Sequence, residues 1–192
     1  MSPTTATAIP GYVAGTWTID PVHSDVSFTV RHMVVSKVRG HFRTFEGALV
    51  TGESPETSSV SATIQLDSID TNQDQRNEHI RSADFFDVAN YPTMTYKSTA
   101  IRQDGGDWIV DGDLTLKGIT KQVPLKLELN GFGPDAYGGF RAGFSAKAEI
   151  DRKAFNVNFH QTIEGGGLVV SDKVTIQLEI EAVLDKGEGE QG

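Results

Sequence analysis

The chain has 192 residues, no cysteine and a formal net charge of -9 at pH 7. This length is enough for one domain with a large core, and the absence of cysteine excludes disulfides, thiolate catalysis and zinc sites built on cysteine. The acidic balance argues against a nucleic-acid-binding surface, which needs clustered Lys and Arg.

Both ends of the chain are poor in large apolar residues. Residues 1–14 are rich in Thr, Ala and Pro, and residues 185–192 are rich in Gly and Glu, so we predict two flexible tails around one domain at residues 15–184. Residues 1–13 lack the cationic start and apolar core of a secretory signal. No segment approaches the roughly 18 consecutive apolar residues of a membrane span. We therefore expect a cytoplasmic protein without a transmembrane segment.

Between the tails, apolar and polar residues alternate with a period of two, which is typical of β-strands with one buried face. We predict strands near residues 16–20, 24–33, 42–51, 58–68, 93–102, 107–117, 122–132, 139–150 and 173–184. Short links between neighbours indicate antiparallel hairpins. The sequence therefore predicts an all-β fold, in which an eight-stranded antiparallel barrel closes around an interior wide enough for one ligand.

Residues 70–87 interrupt the alternation with helix formers. We predict a short helical insertion at about residues 71–84, with Thr71 and Asp74 in the places of a capping box. The segment has few apolar residues and is therefore not a core element. We expect it to lie across one end of the barrel, anchored by Phe85 and Phe86.

No nucleophile elbow, phosphate loop, dinucleotide fingerprint or calcium loop occurs in the sequence. His23, His32 and His41 stand nine residues apart. This odd spacing puts neighbours on opposite faces of a continuous strand, so surface or hydrogen-bonded histidines are the favoured interpretation. We predict no metal site and no cofactor.

Two groups of cationic residues have two interpretations each. Residues 26–45 contain no Asp or Glu, and this acidic chain places there Arg31, His32, Lys37, Arg39, His41 and Arg43. They form either an ordinary solvated strand face or a surface that attracts an anionic head group or a lipid surface. His79 lies near Arg76 on the predicted helix, where it belongs either to a polar patch at the barrel mouth or to a solvated helix face.

Five separated motifs resemble the YceI-like family of lipid-binding proteins and occur in the family's order, over about residues 15–183. They are Trp17-x-Ile19-Asp20-x-x-His23-Ser24-x-Val26-x-Phe28-x-Val30-x-His32, Gly40-x-Phe42 with Phe45-x-Gly47, Arg76-Asn77-Glu78-His79-Ile80-x-Ser82-x-Asp84-Phe85-Phe86-Asp87 through Tyr91-Pro92, Gly112-x-Leu114-Thr115-Leu116-Lys117-Gly118-Ile119-Thr120, and Ile150-Asp151-Arg152 to Phe155. Asn77 stands where the family commonly has Asp. The resemblance implies a lipocalin-like barrel with a helical insertion, a long isoprenoid or similar amphiphile bound in an apolar tunnel, and a homodimer.

We therefore expect non-enzymatic binding, transport or storage of an isoprenoid, quinone or fatty-acid-like lipid, with transient contact to a membrane surface. Such a ligand needs a pocket at the upper end of the usual range of roughly 300–1,000 Å³. The candidate lining residues are Phe28, Val30, Phe42, Phe45, Ile64, Leu66, Phe85, Phe86, Met94, Leu114, Leu116, Phe144 and Ile176. The candidates for the polar end are Arg76, His79, Arg152, His23 and His32.

Two other functions stay open at this point. One is an enzyme that acts on a lipid inside the same barrel with His79 or His160 as the base, although the sequence shows no paired nucleophile or second acid. The other is an interaction protein whose apolar strand faces pack only against one another.

Overall fold

The computed structural model describes residues 9–32, 35–159 and 170–186. These residues form β-strands and one α-helix, α1 (Asp74–Arg81). The strands are β1 (Gly15–Ile19), β2 (Asp25–His32), β3 (Ser36–Phe42), β4 (Phe45–Thr51), β5 (Ser59–Gln65), β6 (Ile69–Asp70), β7 (Thr93–Asp104), β8 (Asp107–Leu116), β9 (Ile119–Gln122), β10 (Leu125–Pro134), β11 (Phe140–Asp151) and β12 (Val170–Leu184).

The strands close into the predicted eight-stranded antiparallel barrel. β1 and β2 are two halves of one barrel strand, since both pair with β12. β3 and β4 are likewise two halves of the next strand, because β3 pairs with β2 and β4 pairs with β1. β5, β7, β8, β10, β11 and β12 follow in this order and complete the ring. Two short strands lie off it: β6 pairs with β3, and β9 forms a side hairpin on β8. Trp17 of β1 stands opposite Leu184 of β12, and this pairing closes the ring.

The two ends of the barrel differ in what covers them. At the end that we call the Tyr12 end, residues 9–14 and the turn at residues 52–58 lie beside the hairpin between β10 and β11. At the opposite end, the helix end, α1 packs near β6. A fully buried core fills the barrel there, with Phe42, Leu66, Leu116 and Phe155. Phe85 and Phe86 pack against this core as predicted, with the ring of Phe86 centred 6.1 Å from that of Phe42.

β3, β6 and β9 were not predicted as separate strands. β3 (Ser36–Phe42) alternates two cationic residues with Val38 and Gly40, so its inward face offers little apolar signal. The structure explains the small residue at position 40: a Cβ there would collide with the ring of Phe28 on the paired strand. Strand pairing therefore depends on a close contact that no local pattern reveals.

The helix lies within the predicted range, but its predicted capping box is wrong. The residue that precedes the helix is Gln73, and it makes no side-chain capping bond. Thr71 instead donates to Oδ1 of Asn77 from its backbone N–H at 2.8 Å and from its hydroxyl at 2.6 Å. Both residues are buried, so this contact fixes the loop before the helix in place of a cap.

The described part of the chain contains no helix long and apolar enough to cross a membrane.

Candidate functional site

An apolar cavity of about 200 Å³ extends from the middle of the barrel to the Tyr12 end. Its wall is built from the inward faces of the barrel strands, together with residues 9 and 12 and the turn at residues 55–58. Alternation along each strand places every second side chain inside, and in this sequence most of those inward side chains are apolar. The barrel is therefore not packed solid.

The volume of the cavity does not match the sequence-based expectation. At about 200 Å³, it lies below the usual pocket range of roughly 300–1,000 Å³ rather than at its upper end. The reason is the core at the helix end, where large aromatic side chains occupy the space. The rings of Phe28 and Phe42 are 5.6 Å apart there.

The structure divides the thirteen lining candidates by their height along the barrel axis. Six line the cavity: Phe45, Ile64, Met94, Leu114, Phe144 and Ile176. The other seven do not line it. Phe42, Leu66 and Leu116 are buried in the core at the helix end, and Phe28, Phe85 and Phe86 pack against that core. Val30 stands in β2 opposite Val38 and Val174.

Arg152 is buried, and it holds backbone rather than a ligand. Its side chain is 5% exposed. The guanidinium donates to the carbonyls of Val157 at 2.7 Å, Phe159 at 2.8 Å and Ser171 at 2.9 Å. A carboxylate oxygen of Asp172 lies 3.5 Å away. Burial lowers the pKa of Arg152, but these groups and the carbonyl of Val170 at 3.2 Å compensate for the lost hydration. Arg152 thus joins the turn after β11 to the start of β12.

The helix candidates make local contacts outside the cavity. Arg76 donates to the hydroxyl of Thr71 at 2.9 Å and also to its carbonyl. Nε2 of His79 lies 2.8 Å from a carboxylate oxygen of Asp84, and its ring packs edge-on against Phe85. Neither Arg76 nor His79 lines the cavity. The side chain of His32, and His160 as a whole, lie outside the described residues.

His23 belongs to a network of charged groups beside the break between β1 and β2. Its Nδ1 lies 2.7 Å from Asp20, and Arg141 contacts Asp20 at 2.8 Å, Asp135 at 2.9 Å and Glu181 at 3.3 Å. The hydrogen bond from Arg141, followed by that from His23, lowers the pKa of Asp20 to about 2. Single ligand atoms of Asp20, His23 and Glu181 lie within 4.8 Å of one another. The guanidinium of Arg141 contacts both carboxylates of this group, so the arrangement is a salt-bridge network.

Hydroxyl groups collect at the Tyr12 end of the cavity. The Tyr12 hydroxyl donates to the carbonyl of Gly52 at 2.8 Å and lies 3.2 Å from Oγ of Ser58. Thr51 donates to the carbonyl of Val13 at 2.7 Å and accepts from Nε1 of Trp17 at 2.9 Å. These bonds tie residues 12 and 13 to the barrel, although the sequence assigns them to a tail. The domain bounds at residues 15 and 184 stay a prediction.

Several aromatic residues of the cavity wall were not predicted from the sequence, among them Tyr12, Tyr96, Trp108 and Phe132. Tyr96 and Trp108 share the parity of inward residues in their own strands, since Met94 and Val110 also line the cavity. The alternation was therefore a signal that could have found them. Tyr12 carries no such signal, because it precedes the first strand. It reaches the cavity through the edge-on contact of its ring with Phe132, at 5.4 Å.

Comparison with known proteins gives a consistent result. A family model described as a YceI-like domain matches residues 17–182. Protein YceI of Escherichia coli O17:K52:H18 is 43% identical over 165 residues, which are 85% of this chain and 83% of that protein. Protein YceI of Salmonella newport is 38% identical over the same shares.

Solved structures are similar in fold. BcnA of Burkholderia cenocepacia has a TM-score of 0.73 at 27% identity, over 85% of this chain and 98% of that chain. A polyisoprenoid binding domain from Saccharophagus degradans, implicated in plant cell wall breakdown, has a TM-score of 0.67 over 90% of this chain and 100% of that chain. Its sequence is 16% identical, so this likeness concerns the fold alone.

Proposed function

This chain belongs to the YceI-like domain family, and we propose that it binds a single long apolar or amphiphilic lipid in its barrel without transforming it. The observation that carries the proposal is the apolar cavity of about 200 Å³ inside a closed barrel. The binding free energy comes from removing the ligand's apolar surface from water, at roughly 25 cal/mol per Å². The described fold neighbour from Saccharophagus degradans, a polyisoprenoid binding domain, supports an isoprenoid-like chain as the ligand.

The size of the cavity limits the ligand that enters without rearrangement. At about 200 Å³, the cavity accommodates a short chain, and a longer isoprenoid or quinone tail requires lining side chains to rotate. Met94 is suited to this, because methionine is unbranched and adapts its shape to irregular spaces. We therefore expect the protein to bind a family of chain lengths with affinities that fall once the cavity must expand.

No observation favours the alternative in which the protein is an enzyme. His79 contacts Asp84 and two phenylalanine rings outside the cavity, so it is not placed to act on a chain inside the barrel. The other histidine considered as a base, His160, lies outside the described residues. We therefore propose that the protein transports, stores or sequesters the bound lipid.

Binding in the barrel is tested by a substitution that fills the cavity, with a substitution on the outer surface of the barrel as its control. Ala62 lines the cavity, and its neighbour Ser61 is exposed on the opposite face of β5. We expect Ala62→Phe to weaken binding of farnesol to the delipidated full chain by about tenfold or more, since the added ring takes the ligand's space. Ser61→Phe should leave the affinity unchanged. Equal affinities of both variants and the parent chain, measured by calorimetry, would contradict binding in the barrel.

We also propose transient contact with an anionic membrane surface through the hairpin of β2 and β3. Arg31 and Lys37 stand opposite each other in this hairpin, and both are exposed. Within the described ranges neither has an ion-pair partner, whereas Arg43 pairs with Asp70 at 2.9 Å. Because these two positive charges stand directly opposite each other, they form a positive site that attracts lipid phosphates. Co-sedimentation with phosphatidylglycerol vesicles should fall in the double variant Arg31→Gln with Lys37→Gln, and should be unchanged in Arg43→Gln.

The homodimer and the cytoplasmic location stay predictions. Sedimentation equilibrium measures the first, and fractionation of the source cells measures the second.

A further inference from the structure

The segment at residues 9–14 lies over the cavity at the Tyr12 end and belongs to no strand. We propose that this segment, which we call the lid, is the gate of the barrel, and that a ligand enters and leaves when the lid lifts away from β10. The passage of a ligand rests on the proposed function, whereas the opening of the lid is a property of the ligand-free chain. The two can therefore be tested separately.

The helix end is closed by a packed core. Leu66 is 0% exposed and Phe155 is 1% exposed, and Phe86 packs against this core from outside the cavity. Protein interiors are close-packed, so a chain that passed there would have to displace several interlocked side chains at once. At the Tyr12 end, a ligand has only a surface segment to displace.

The lid supplies part of the cavity wall. Ile9 and Tyr12 both line the cavity, as does Phe132 of β10. The rings of Tyr12 and Phe132 meet edge-on with their centres 5.4 Å apart. Movement of the lid away from β10 therefore takes two side chains out of the wall and opens the cavity at this end.

The lid is held to the barrel mainly through side chains. Within the described ranges, its one backbone–backbone hydrogen bond runs from Tyr12 to Ile9, at 3.1 Å, inside the lid itself. Tyr12 donates to the carbonyl of Gly52 at 2.8 Å, and Thr51 donates to that of Val13 at 2.7 Å. β1, in contrast, pairs with β4 on one side and with β12 on the other. A segment without ladder bonds opens at a lower free energy than the sheet beside it.

Gly11 allows the lid to approach β10 closely. Its φ is +76°, a conformation that favours glycine, and a Cβ there would lie 2.8 Å from the carbonyl oxygen of Phe132. Because this collision is with backbone and exists only when the lid is closed, Gly11→Ala should shift the lid toward its open position. Gly138 has a φ of +82°, but a Cβ there would meet nothing within 4 Å. Gly138→Ala is therefore a control with similar backbone strain and no collision.

The opening of the lid can be measured without a lipid, because the chain has no cysteine. Ala62 lines the cavity, so Ala62→Cys puts a single thiol there. Iodoacetamide alkylates this thiol when the reagent enters the cavity, and the alkylation rate rises with the population of the open lid. We expect Gly11→Ala to raise the rate about tenfold or more, and Gly138→Ala to leave it unchanged.

A second cysteine position distinguishes lid opening from unfolding of the barrel. Ala148 is buried and does not line the cavity, so alkylation of Ala148→Cys reports on larger openings. Gly11→Ala should leave this rate unchanged. An alkylation rate at Ala62→Cys that Gly11→Ala does not raise would overturn the inference. Equal acceleration at both cysteines would overturn it as well, since the barrel itself would then be opening.

A locked lid tests the passage of a ligand. A Cβ at Gly11 would lie 3.1 Å from that of Phe132, and a small shift reaches the roughly 3.5–4.5 Å of a disulfide. The double variant Gly11→Cys with Phe132→Cys is loaded with farnesol and then oxidised with diamide, which ties the lid to β10. We expect farnesol to leave the oxidised variant about tenfold or more slowly than the same variant reduced with dithiothreitol, in stopped-flow measurements.

Equal exit rates from the oxidised and reduced forms would overturn the inference, because the ligand would then leave by another route. If farnesol binds neither this variant nor the parent chain, the proposed function fails, and the alkylation rates still decide whether the lid opens.

Discussion

The ring of Tyr96 lies against the backbone of Gly112, so closely that a Cβ at Gly112 would come within 3.0 Å of it. The two residues are on neighbouring strands, β7 and β8. From this position the Tyr96 hydroxyl reaches the carbonyls of Val110 at 3.2 Å and Val123 at 2.8 Å. Burial raises the pKa of Tyr96 well above its usual value. The missing side chain at position 112 thus makes room for a buried, hydrogen-bonded wall of the cavity.

Substitution of Gly112 tests its close contact with the Tyr96 ring. We expect Gly112→Ala to lower the free energy of unfolding by about 1–3 kcal/mol, because Tyr96 must move and its hydroxyl loses its carbonyl partners. The control is Gly106→Ala, where a Cβ would meet nothing within 4 Å; its effect should stay within about 0.5 kcal/mol. Urea unfolding measures both, and equal stabilities of the two variants would contradict the packing argument.

Arg152 should be essential for stability rather than for ligand binding. Arg152→Met leaves the carbonyls of Val157, Phe159 and Ser171 without their donor, and we expect a loss of about 3–5 kcal/mol in the free energy of unfolding. Lys153→Met removes an exposed charge that pairs with Asp172 at 3.2 Å and should cost less than about 1 kcal/mol. An Arg152→Met variant as stable as the parent, with weaker farnesol binding, would instead favour a ligand role.

The network around Asp20 predicts how stability depends on pH. The folded chain holds the pKa of Asp20 at about 2, below its ordinary 3.8, through Arg141 and then His23. Its contribution is therefore complete above about pH 4 and is lost as the pH falls to about 2. Asp20→Asn should be less stable than the parent at pH 7, and the difference should shrink over this acidic interval. The control is Asp113→Asn, which should be as stable as the parent chain. A stability difference between Asp20→Asn and the parent that stays constant from pH 7 to pH 2 would contradict the ion-pair assignment.

Enlarging the cavity should change the preference for chain length. Ile176 lines the cavity, and Ile176→Ala removes three carbons from its wall at a cost of about 2 kcal/mol in the free energy of unfolding. If the lipid occupies this space, the ratio of affinities for geranylgeraniol over farnesol should rise in the variant. Thr175→Ala, one residue away on the opposite face of β12, is the control. An unchanged ratio in Ile176→Ala would place the ligand elsewhere.

The barrel was predictable because alternation is a local property. Each strand shows which of its residues face inward, and Ile64, Leu114 and Ile176 are on the cavity wall as the pattern indicated. The position of a residue along the barrel axis is not a local property of its strand. Leu114 and Leu116 share one parity, yet Leu114 lines the cavity while Leu116 packs in the core at the helix end. Their difference depends on how far the helix end is filled by residues distant in the chain.

The polar candidates show a second limit of sequence reasoning. Arginine and histidine suggest binding chemistry by residue type, but the partners of Arg152 come from β12 and the turn after β11. These groups meet only when the barrel closes. Tyr12 shows the converse: its segment has no periodicity, and yet the fold places it on the cavity wall. A residue type indicates what a side chain can bind, and only the fold decides what it meets.

Isotope-filtered nuclear Overhauser spectroscopy of the labelled full chain with farnesol tests the central claim most directly. We predict cross-peaks from the isoprenoid methyl groups to the methyl groups of Met94 and Ile176. Cross-peaks to Ile80 and Phe86 at the helix end, with none to Met94 or Ile176, would contradict a lipid bound in the cavity.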